Sequence, residues 1–388
     1  MKNEQNVQEK AFLTMQRMRS EYEELVSGIP MSLEALLSPK GFRFDQFCRE
    51  FNPHPDSEEL KMRIQEFGEA NGCWLPSARH HISCALYLYP TADTYRMFCM
   101  MKNLTLGFYL NDVMGRDTFK FLPADEQIPA RQMILRMARI DTTLRLGPDA
   151  GQLERVNAGI LQEFKDHSPQ GWFEKFLEIY SYHIGITHTN GDVTAQGRIP
   201  GITEYMDYRC HLGGVHHILM WIEFSDGQFL DWERLQGYGL AQPLKRLHWV
   251  TAAFAGLSND LFSLEKEVID HSSDSNLVMI IALNDEQLSL KAAILRAADN
   301  VRNLLMELLS LLEFLKKRTE ELQAVDRPLA SQLKRHRDAI VRCVQAIWLW
   351  HCYSGRYKRP VSLWVETTAA VRSKEGQPSS AAVFSDRG

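Results

Sequence analysis

Long runs of helical periodicity constrain this chain more than any other feature of its sequence. Five segments repeat apolar residues every three to four positions, and convincing period-2 strands are absent. Glycine, proline or short polar clusters separate the segments. The pattern predicts an all-α fold, a bundle of helices. The five segments are residues 94–110, 171–186, 244–268, 289–322 and 331–355.

Composition and charge exclude several other classes of protein. The chain has 388 residues, of which 45% are hydrophobic and 24% charged, enough to bury a full core in one large domain or two. Its net charge of -5 argues against a dedicated nucleic-acid binder. No apolar run reaches the roughly 18 residues of a membrane span, and the N-terminus has no apolar core of secretory-signal length.

The cysteines predict a reducing compartment. There are seven, an odd number, and no two form a C-x-x-C pair. Scattered cysteines of this kind are typical of buried free thiols rather than of a disulfide framework. We therefore expect a cytoplasmic protein.

Residues 259–267, NDLFSLEKE, place three oxygen ligands at i, i+4 and i+8: Asn259, Ser263 and Glu267. Each step of four residues drifts by about 40°, so the three side chains share one stripe of a helix over roughly 12 Å. An amide oxygen, a hydroxyl and a carboxylate suit Mg²⁺ or Mn²⁺ rather than zinc. Magnesium sites of this kind keep positions for phosphate oxygens, so the spacing predicts a substrate that carries phosphate.

A second acidic element, NDVMGRD at residues 111–117, ends the segment 94–110. Carboxylates at the end of an apolar helix are costly unless they are solvated or bind a cation. Asp112 and Asp117 are therefore candidate metal ligands. Asn, Asp and Gly also cluster at ordinary helix C-termini, so this element alone leaves both interpretations open.

Taken together, the two acidic elements resemble those of class I terpene synthases of the bacterial type. NDLFSLEKE matches the family's N-D-x-x-S-x-x-x-E triad in full, including the lysine before the glutamate, Lys266. DVMGRD occupies the place of the family's aspartate-rich motif. The resemblance spans roughly residues 40 to 360. It implies an all-α, single-domain helical bundle around a central apolar cavity.

Two further signatures of the same family follow in the expected order. In YRCHLGG, Arg209 occupies the position of the diphosphate-sensing arginine, and Leu212 and Gly213 occupy the linker and effector positions. Near the C-terminus, Arg356 and Tyr357 match the arginine–tyrosine pair that closes over the diphosphate. Chance matching of all four motifs in order is far less probable than chance matching of any one.

The aspartate-rich motif departs from the family pattern. The family usually has two adjacent aspartates, whereas Val113 follows Asp112 here. If Asp112 is the first position, Asp117 falls on the trailing acidic position. The alternative register starts at Asn111, which would give a weaker neutral ligand. We prefer the register that starts at Asp112.

The resemblance implies a specific activity. The family ionises linear prenyl diphosphates with three Mg²⁺ ions, for which Mn²⁺ can substitute, and cyclises the allylic cation to a terpene with release of diphosphate. Asp112, Asp117 and the triad would hold the metal. The protein is expected to be a monomer or a homodimer. Farnesyl diphosphate is the expected substrate, and geranylgeranyl diphosphate the next. The expected donors to the diphosphate are Arg209, Lys266, Arg356 and Tyr357.

Aromatic side chains and histidines offer further candidates. Aromatic faces stabilise carbocations, so some aromatic residues are expected to line the cavity, although most rings at helical spacing belong to the core. No histidine pair at i, i+4 stands beside an acidic base, so the sequence does not favour a zinc site. The aromatic candidates are Phe108, Tyr109, Trp221, Phe254, Trp348 and Trp350.

Two other functions fit parts of the pattern. A chain-elongating prenyl diphosphate synthase would share the fold but should carry a second aspartate-rich motif where this chain has the triad. A noncatalytic or degenerate diphosphate-binding protein would explain the altered motif at Asp112. The predicted domain organisation is an N-terminal helical extension over 1–40, a catalytic domain over 41–365, and a disordered tail over 366–388.

Overall fold

A computed structural model describes residues 2–49, 51–115, 118–188 and 191–369 of the protein. Within these ranges the backbone forms α-helices and isolated bridges but no β-strand, which confirms the predicted all-α fold. Short 3₁₀ segments lie at Phe119–Phe121 and Gly355–Tyr357, and Glu265–Asp270 is π-helical. The α-helices are α1 Lys2–Val26, α2 Leu33–Leu37, α3 Phe44–Phe47, α4 Ser57–Ala70, α5 Ala78–Leu88, α6 Thr94–Met114, α7 Ala124–Ala138, α8 Gln152–Asp166, α9 Gln170–Thr187, α10 Val193–Gln196, α11 Ile202–Leu212, α12 Val215–Asp226, α13 Trp232–Gly237, α14 Ala241–Phe262, α15 Leu277–Asn284, α16 Leu290–Leu322 and α17 Arg327–Tyr353.

The five segments with helical periodicity become α6, α9, α14, α16 and α17. Side-chain caps fix where three of them begin. The Asp93 carboxylate accepts from the Arg96 amide at 2.8 Å, and Ser289 and Asp326 cap α16 and α17 in the same way. Each cap satisfies a backbone donor that the first turn of a helix leaves unpaired.

Helix α14 lies at the centre of the bundle. It packs against α11, α12, α16 and α17, and nearly all of its residues from Val250 onward are buried. A Cβ atom on Gly256 would lie 3.1 Å from the backbone oxygen of Arg209, so this glycine allows α11 to approach α14 closely. None of the helices in the described ranges is both long and apolar enough to cross a lipid bilayer.

Both ends of the described chain pack onto the bundle near residue 265. Helix α1 contacts α10, α15 and α16, and the Tyr22 hydroxyl donates to the Glu265 carboxylate at 2.8 Å. The same carboxylate accepts from the backbone amide of Leu363 at 3.0 Å. The Glu366 carboxylate accepts from two backbone amides in the first turn of α2.

These contacts bear on the predicted domain boundaries. Glu366 contacts α2, and the backbone of residues 367–369 is hydrogen-bonded to Arg359 and Trp364. The start of the tail at residue 366 stays a prediction. Residues 370–388 lie outside the described ranges. The division at residue 40 stays a prediction.

All seven cysteines lie in the described ranges and are free thiols, and six of them are buried. Burial raises the pKa of Cys343 and of Cys84 to about 12. A thiol with a raised pKa is protonated at neutral pH and reacts slowly. These cysteines therefore behave as small core residues, as the sequence predicts.

The bundle buries an unusual number of histidines in a neutral form. Burial lowers the pKa of His183, His188 and His248 to about 4, because no carboxylate compensates for the lost hydration of the imidazolium. An unfolded histidine has a pKa of about 6.5. Burial also lowers the pKa of five further histidines: His211, His216, His217, His336 and His351.

We expect the protein to lose stability as the pH falls from about 6.5 to about 4. In that window the unfolded chain binds protons that the buried histidines do not, so the free energy of unfolding decreases with decreasing pH. Burial raises the pKa of Glu223 to about 7 and of Asp274 to about 6. These two carboxyl groups bind protons in the folded state and so oppose the loss of stability, but the histidines with a lowered pKa outnumber them. Thermal unfolding followed by circular dichroism between pH 8 and pH 4.5 measures the slope.

The variant His188→Gln is the matched comparison, because it lacks one of the histidines whose pKa is lowered by burial. Its melting temperature should fall less steeply with acidification than that of the parent protein. A melting temperature that stays constant over this pH range in the parent protein would contradict the account.

Candidate active site

A cavity of about 240 Å³ opens between α6, α9, α11, α12, α14 and α17. Most of its wall is apolar, and charged groups lie toward the end formed by α14 and the segment after α17. The predicted central cavity is therefore present. Eight of the predicted site residues line it: Arg209, Leu212, Gly213, Asn259, Lys266, Glu267, Arg356 and Tyr357.

Arg209 is held in place by a buried ion pair. Its Nε donates to Asp260 Oδ1 at 2.6 Å and its Nη2 donates to Asn259 Oδ1 at 2.8 Å. Asp260 is fully buried, and its other oxygen accepts from the Tyr205 hydroxyl at 2.7 Å and from the Leu277 amide at 2.8 Å. The guanidinium is thus oriented by α14 before any ligand arrives.

Asn259 connects Arg209 with the C-terminal segment. Its Nδ2 donates to the Tyr357 hydroxyl at 2.7 Å and lies 3.1 Å from His351 Nε2. Burial lowers the pKa of His351 to about 3, so the ring is neutral at pH 7. Three predicted site residues, Arg209, Asn259 and Tyr357, are therefore joined in one hydrogen-bonded chain.

The sequence predicted that the triad lies on one uninterrupted α-helix. The structure interrupts that helix within the triad. Helix α14 ends at Phe262, Ser263 is its C-cap, and Glu265–Asp270 is π-helical. A π-helix widens the turn and is frequent at functional sites. The contacts of Glu265 with Tyr22 and Leu363 hold this wider turn in place.

The triad side chains differ in their exposure to the cavity. Asn259 and Glu267 line it, whereas Ser263 is buried and donates from Oγ to the backbone oxygen of Asn259 at 2.7 Å. Glu267 Oε2 accepts from Asn276 Nδ2 at 3.1 Å, which fixes that carboxylate. Together with Asp112, these residues offer oxygen atoms as metal ligands. Such a ligand set fits a hard cation such as Mg²⁺.

Asp112 lies in the last turn of α6, beside the cavity-lining Asn111, and pairs with Arg356. Arg356 Nη1 lies 3.2 Å from Asp112 Oδ1, and Asn111 Nδ2 donates to the same oxygen at 3.1 Å. Asn111 lines the cavity. Both candidates for the first position of the acidic motif thus lie at the charged end. Asp117 lies outside the described residues.

A helix break at Gly213 and Gly214 separates α11 from α12. The glycine that the backbone requires there is Gly214, whose φ is +68°. A Cβ atom on Gly214 would lie 2.9 Å from the ring of His217 and 3.1 Å from that of His183. A Cβ atom on Gly213 would meet only ordinary contacts of 3.6 Å or more, so its conformation does not demand glycine.

Two of the six predicted aromatic residues, Phe108 and Trp350, line the cavity. Trp221 and Phe254 are fully buried among core residues, and Trp348 stacks on Phe44 at 3.8 Å. Tyr109 is also absent from the cavity wall.

The end of the cavity away from Asp112 is polar but carries no charge. Asn103 lies there, eight residues before Asn111 on α6, which is about 12 Å along the helix axis. Tyr180, His183 and His217 complete this region. Burial lowers the pKa of His183 to about 4 and that of His217 further, so both rings are neutral at pH 7.

Sequence reasoning missed the residues that orient the site. Asp260 anchors Arg209, and Asn276 links Glu267 to the backbone oxygen of Asp260 at 2.8 Å. His351 and Tyr205 complete the same network. The available signal for Asp260 was its place as the second fixed residue of the N-D-x-x-S-x-x-x-E motif.

Comparison with known proteins agrees with this geometry. The family model described as terpene synthase family 2, C-terminal metal binding, matches residues 102–307, which is more than half of the chain. The all-α fold is that of the class I terpene synthases. The chain belongs to terpene synthase family 2. No curated protein matches the sequence at a significant level.

Solved structures with the same fold have low sequence identity to this chain. The structure of a-eudesmol synthase has a TM-score of 0.65 and 17% identity, over 79% of this chain and 97% of that one. Germacradien-4-ol synthase from Streptomyces citricolor gives 0.64 and 16%, over 83% and 99%. Linalool/nerolidol synthase from Streptomyces clavuligerus, in complex with 2-fluorogeranyl diphosphate, gives 0.63 and 15%, over 78% and 96%. At these identities the likeness concerns the fold.

We expect Asp260→Ala to destabilise the protein by about 3 to 5 kcal/mol, because it leaves the buried Arg209 guanidinium without a carboxylate. Urea unfolding followed by circular dichroism measures the change. Glu307→Ala is the matched control, since the Arg246–Glu307 pair has equally short contacts but is 47% and 38% exposed. Its loss should stay below about 1 kcal/mol. Equal losses in the two variants would refute the anchoring role of Asp260.

Proposed function

We propose that the protein is a Mg²⁺-dependent class I terpene synthase that ionises a linear prenyl diphosphate and cyclises the resulting allylic cation. The juxtaposition at the charged end of the cavity is the observation that carries the proposal. Asp112 and Arg356, 244 residues apart in the chain, meet there beside the hydrogen-bonded residues Arg209, Asn259 and Tyr357. Such a convergence of cations and oxygen ligands suits a diphosphate with its metal ions.

The metal site is assigned by its donor set. Asn259, Ser263 and Glu267 would hold metal on one wall and Asp112 on the other. When bound, Mg²⁺ supplies Lewis-acid stabilisation of the departing diphosphate. Asp117 remains a predicted ligand on the basis of the family pattern alone.

The chain's own donors bind and orient the diphosphate. Arg209 presents a guanidinium that is already fixed by Asp260, so little side-chain entropy is lost when it binds an oxygen of the diphosphate. Arg356 and Lys266 line the same end and add positive charge. The Tyr357 hydroxyl accepts from Asn259, which leaves its own proton available for an oxygen of the diphosphate. These donors favour the leaving group over the intact substrate because charge accumulates on it.

The rest of the cavity protects the cation. The Phe108 and Trp350 rings lie on the wall, and an aromatic face stabilises a cation by about 0.5 to 2 kcal/mol. His183 and His217 are neutral, so the far end adds no positive charge that would oppose a carbocation. A largely apolar enclosure also limits quenching by bulk water.

Farnesyl diphosphate is the proposed substrate. The cavity of about 240 Å³ lies below the usual range of about 300 to 1,000 Å³ for ligand pockets, which favours the C15 chain over the longer C20 chain. The S. clavuligerus relative of the same fold is seen with a C10 analogue, 2-fluorogeranyl diphosphate. Geranylgeranyl diphosphate is the second candidate substrate.

Purified protein should release diphosphate and form a cyclic terpene from farnesyl diphosphate in the presence of Mg²⁺. Gas chromatography with mass spectrometry identifies the product, and a coupled assay measures diphosphate. EDTA should abolish both signals, and Glu267→Gln should reduce the rate at least about a hundredfold by removing a ligand charge. Glu313→Gln, on the exposed surface of α16, should leave the rate unchanged.

Other outcomes of this assay identify the alternatives. A requirement for a second, C5 diphosphate would identify a chain-elongating synthase. Binding of diphosphate by folded protein without turnover of the geranyl, farnesyl or geranylgeranyl substrate would identify a noncatalytic relative.

A second pair of variants assigns the first position of the acidic motif. If Asp112 ligates metal, Asp112→Asn should raise the Mg²⁺ concentration for half-maximal diphosphate release at least about tenfold, because a neutral amide is a weaker ligand. Asn111→Ala should change it less than about threefold. The reverse order would assign the position to Asn111. Melting temperatures of both variants control for folding, since each loses a contact to its neighbour or to Arg356.

A further inference from the structure

Three soft metal ligands lie together at the break between α11 and α12. Cys210 and His211 come from the last turn of α11, and His216 comes from the first turn of α12. We call these residues the Cys–His cluster. None of the three lines the cavity, so the cluster is separate from the candidate Mg²⁺ site.

The geometry of the Cys–His cluster is close to that of a tetrahedral metal site. One ligand atom from each residue lies within 4.8 Å of the other two. Cys210 Sγ and His216 Nε2 are 3.4 Å apart, and the two imidazole centroids are 4.5 Å apart. Metal–ligand bonds of about 2.0 to 2.3 Å in a tetrahedron place ligand atoms about 3.3 to 3.8 Å from one another. Only small side-chain rotations are needed to reach that arrangement.

The backbone explains why residues on two helices meet there. Gly214 has a φ of +68°, which turns the chain sharply and brings the start of α12 back over the end of α11. Tyr182 packs edge-on against the His211 ring with centroids 5.1 Å apart, which restrains that ring. The cluster is therefore a consequence of the same break that shapes the cavity wall at Leu212 and Gly213.

The chemistry of the ligands selects the class of cation. Two imidazole nitrogens and one sulfur favour Zn²⁺ or Co²⁺ and do not suit Mg²⁺. Burial lowers the pKa of His216 to about 3, so its nitrogen carries a lone pair at neutral pH. Burial also lowers the pKa of His211, and the nearby Asp207 carboxylate acts against that shift. This carboxylate adds negative charge close to the cluster.

We propose that the Cys–His cluster binds one divalent cation of the zinc class and that the bound ion clamps α11 to α12 across the Gly213–Gly214 break. Burial raises the pKa of the Cys210 thiol to about 12, so Cys210 becomes a thiolate only as the metal displaces its proton: the sulfur–metal bond forms, the S–H bond breaks, and the proton passes to solvent. Three protein ligands leave the fourth position to water, since His211 and His216 are partly exposed. The clamp does not depend on the proposed synthase activity.

Titration of the metal-free, full-length protein with Co²⁺ tests the site, because the absorption spectrum of bound Co²⁺ depends on its ligands. We expect a near-ultraviolet thiolate-to-cobalt band and visible bands of tetrahedral cobalt that saturate at one ion per chain. Zn²⁺ should displace the cobalt, whereas Mg²⁺ in large excess should not. Saturating Co²⁺ should also raise the melting temperature, because the ion binds the folded state.

Variants separate the cluster from the other thiols. Cys210→Ser should remove the near-ultraviolet band, and His216→Gln should weaken cobalt binding at least tenfold while its sulfur band remains at saturation. Cys73→Ser is the matched control, since Cys73 is also buried but lies outside the cluster. A band that survives Cys210→Ser, or the absence of a saturating band in the parent protein, would overturn the proposal. The readout needs no turnover, so it is independent of the terpene synthase assay.

Discussion

The buried ion pair between Arg209 and Asp260 is the interaction on which the rest of the site depends. A charge taken out of water is costly, and only close pairing and further hydrogen bonds offset that cost. Asp260 receives donors from Arg209, Tyr205 and the Leu277 amide, which belong to α11 and α15, while Asp260 itself lies on α14. Because all these donors must reach one carboxylate, the pair fixes the relative positions of three helices. It also aims the guanidinium Nη2 at Asn259.

Segments that are far apart in the sequence complete the charged end of the cavity. Asn259 donates to Tyr357, and Asp112 on α6 pairs with Arg356 just after α17. The 3₁₀ turn that carries Arg356 and Tyr357 is therefore held by two walls at once. The π-helical turn after α14 is held in a similar way, since Glu265 accepts from α1 and from the segment near residue 363. Contacts distant in sequence thus set the positions of the diphosphate donors and of Glu267.

Charge is distributed along the cavity in a way that matches the proposed chemistry. Cations and carboxylates lie at the end near Asp112, while the wall farther along α6 is apolar or neutral. The histidines at that far end remain neutral because burial, without a compensating carboxylate, disfavours the imidazolium. Under the proposed function this charge distribution would attract the diphosphate to that end and give the prenyl chain a single favoured orientation. The same burial makes the bundle sensitive to acid.

The sequence by itself determined the helices and the chemistry of the ligands, because both follow from short-range order. Periodicity of 3.6 residues defines an apolar face, and the spacing of Asn259, Ser263 and Glu267 defines an oxygen ligand set. Only the tertiary structure decided which buried residues meet. It placed Asp260 on Arg209, turned Ser263 to its own backbone and made Gly214 the strained position of the break. Periodicity shows that a residue is buried, whereas its partner depends on how helices far apart in sequence pack together.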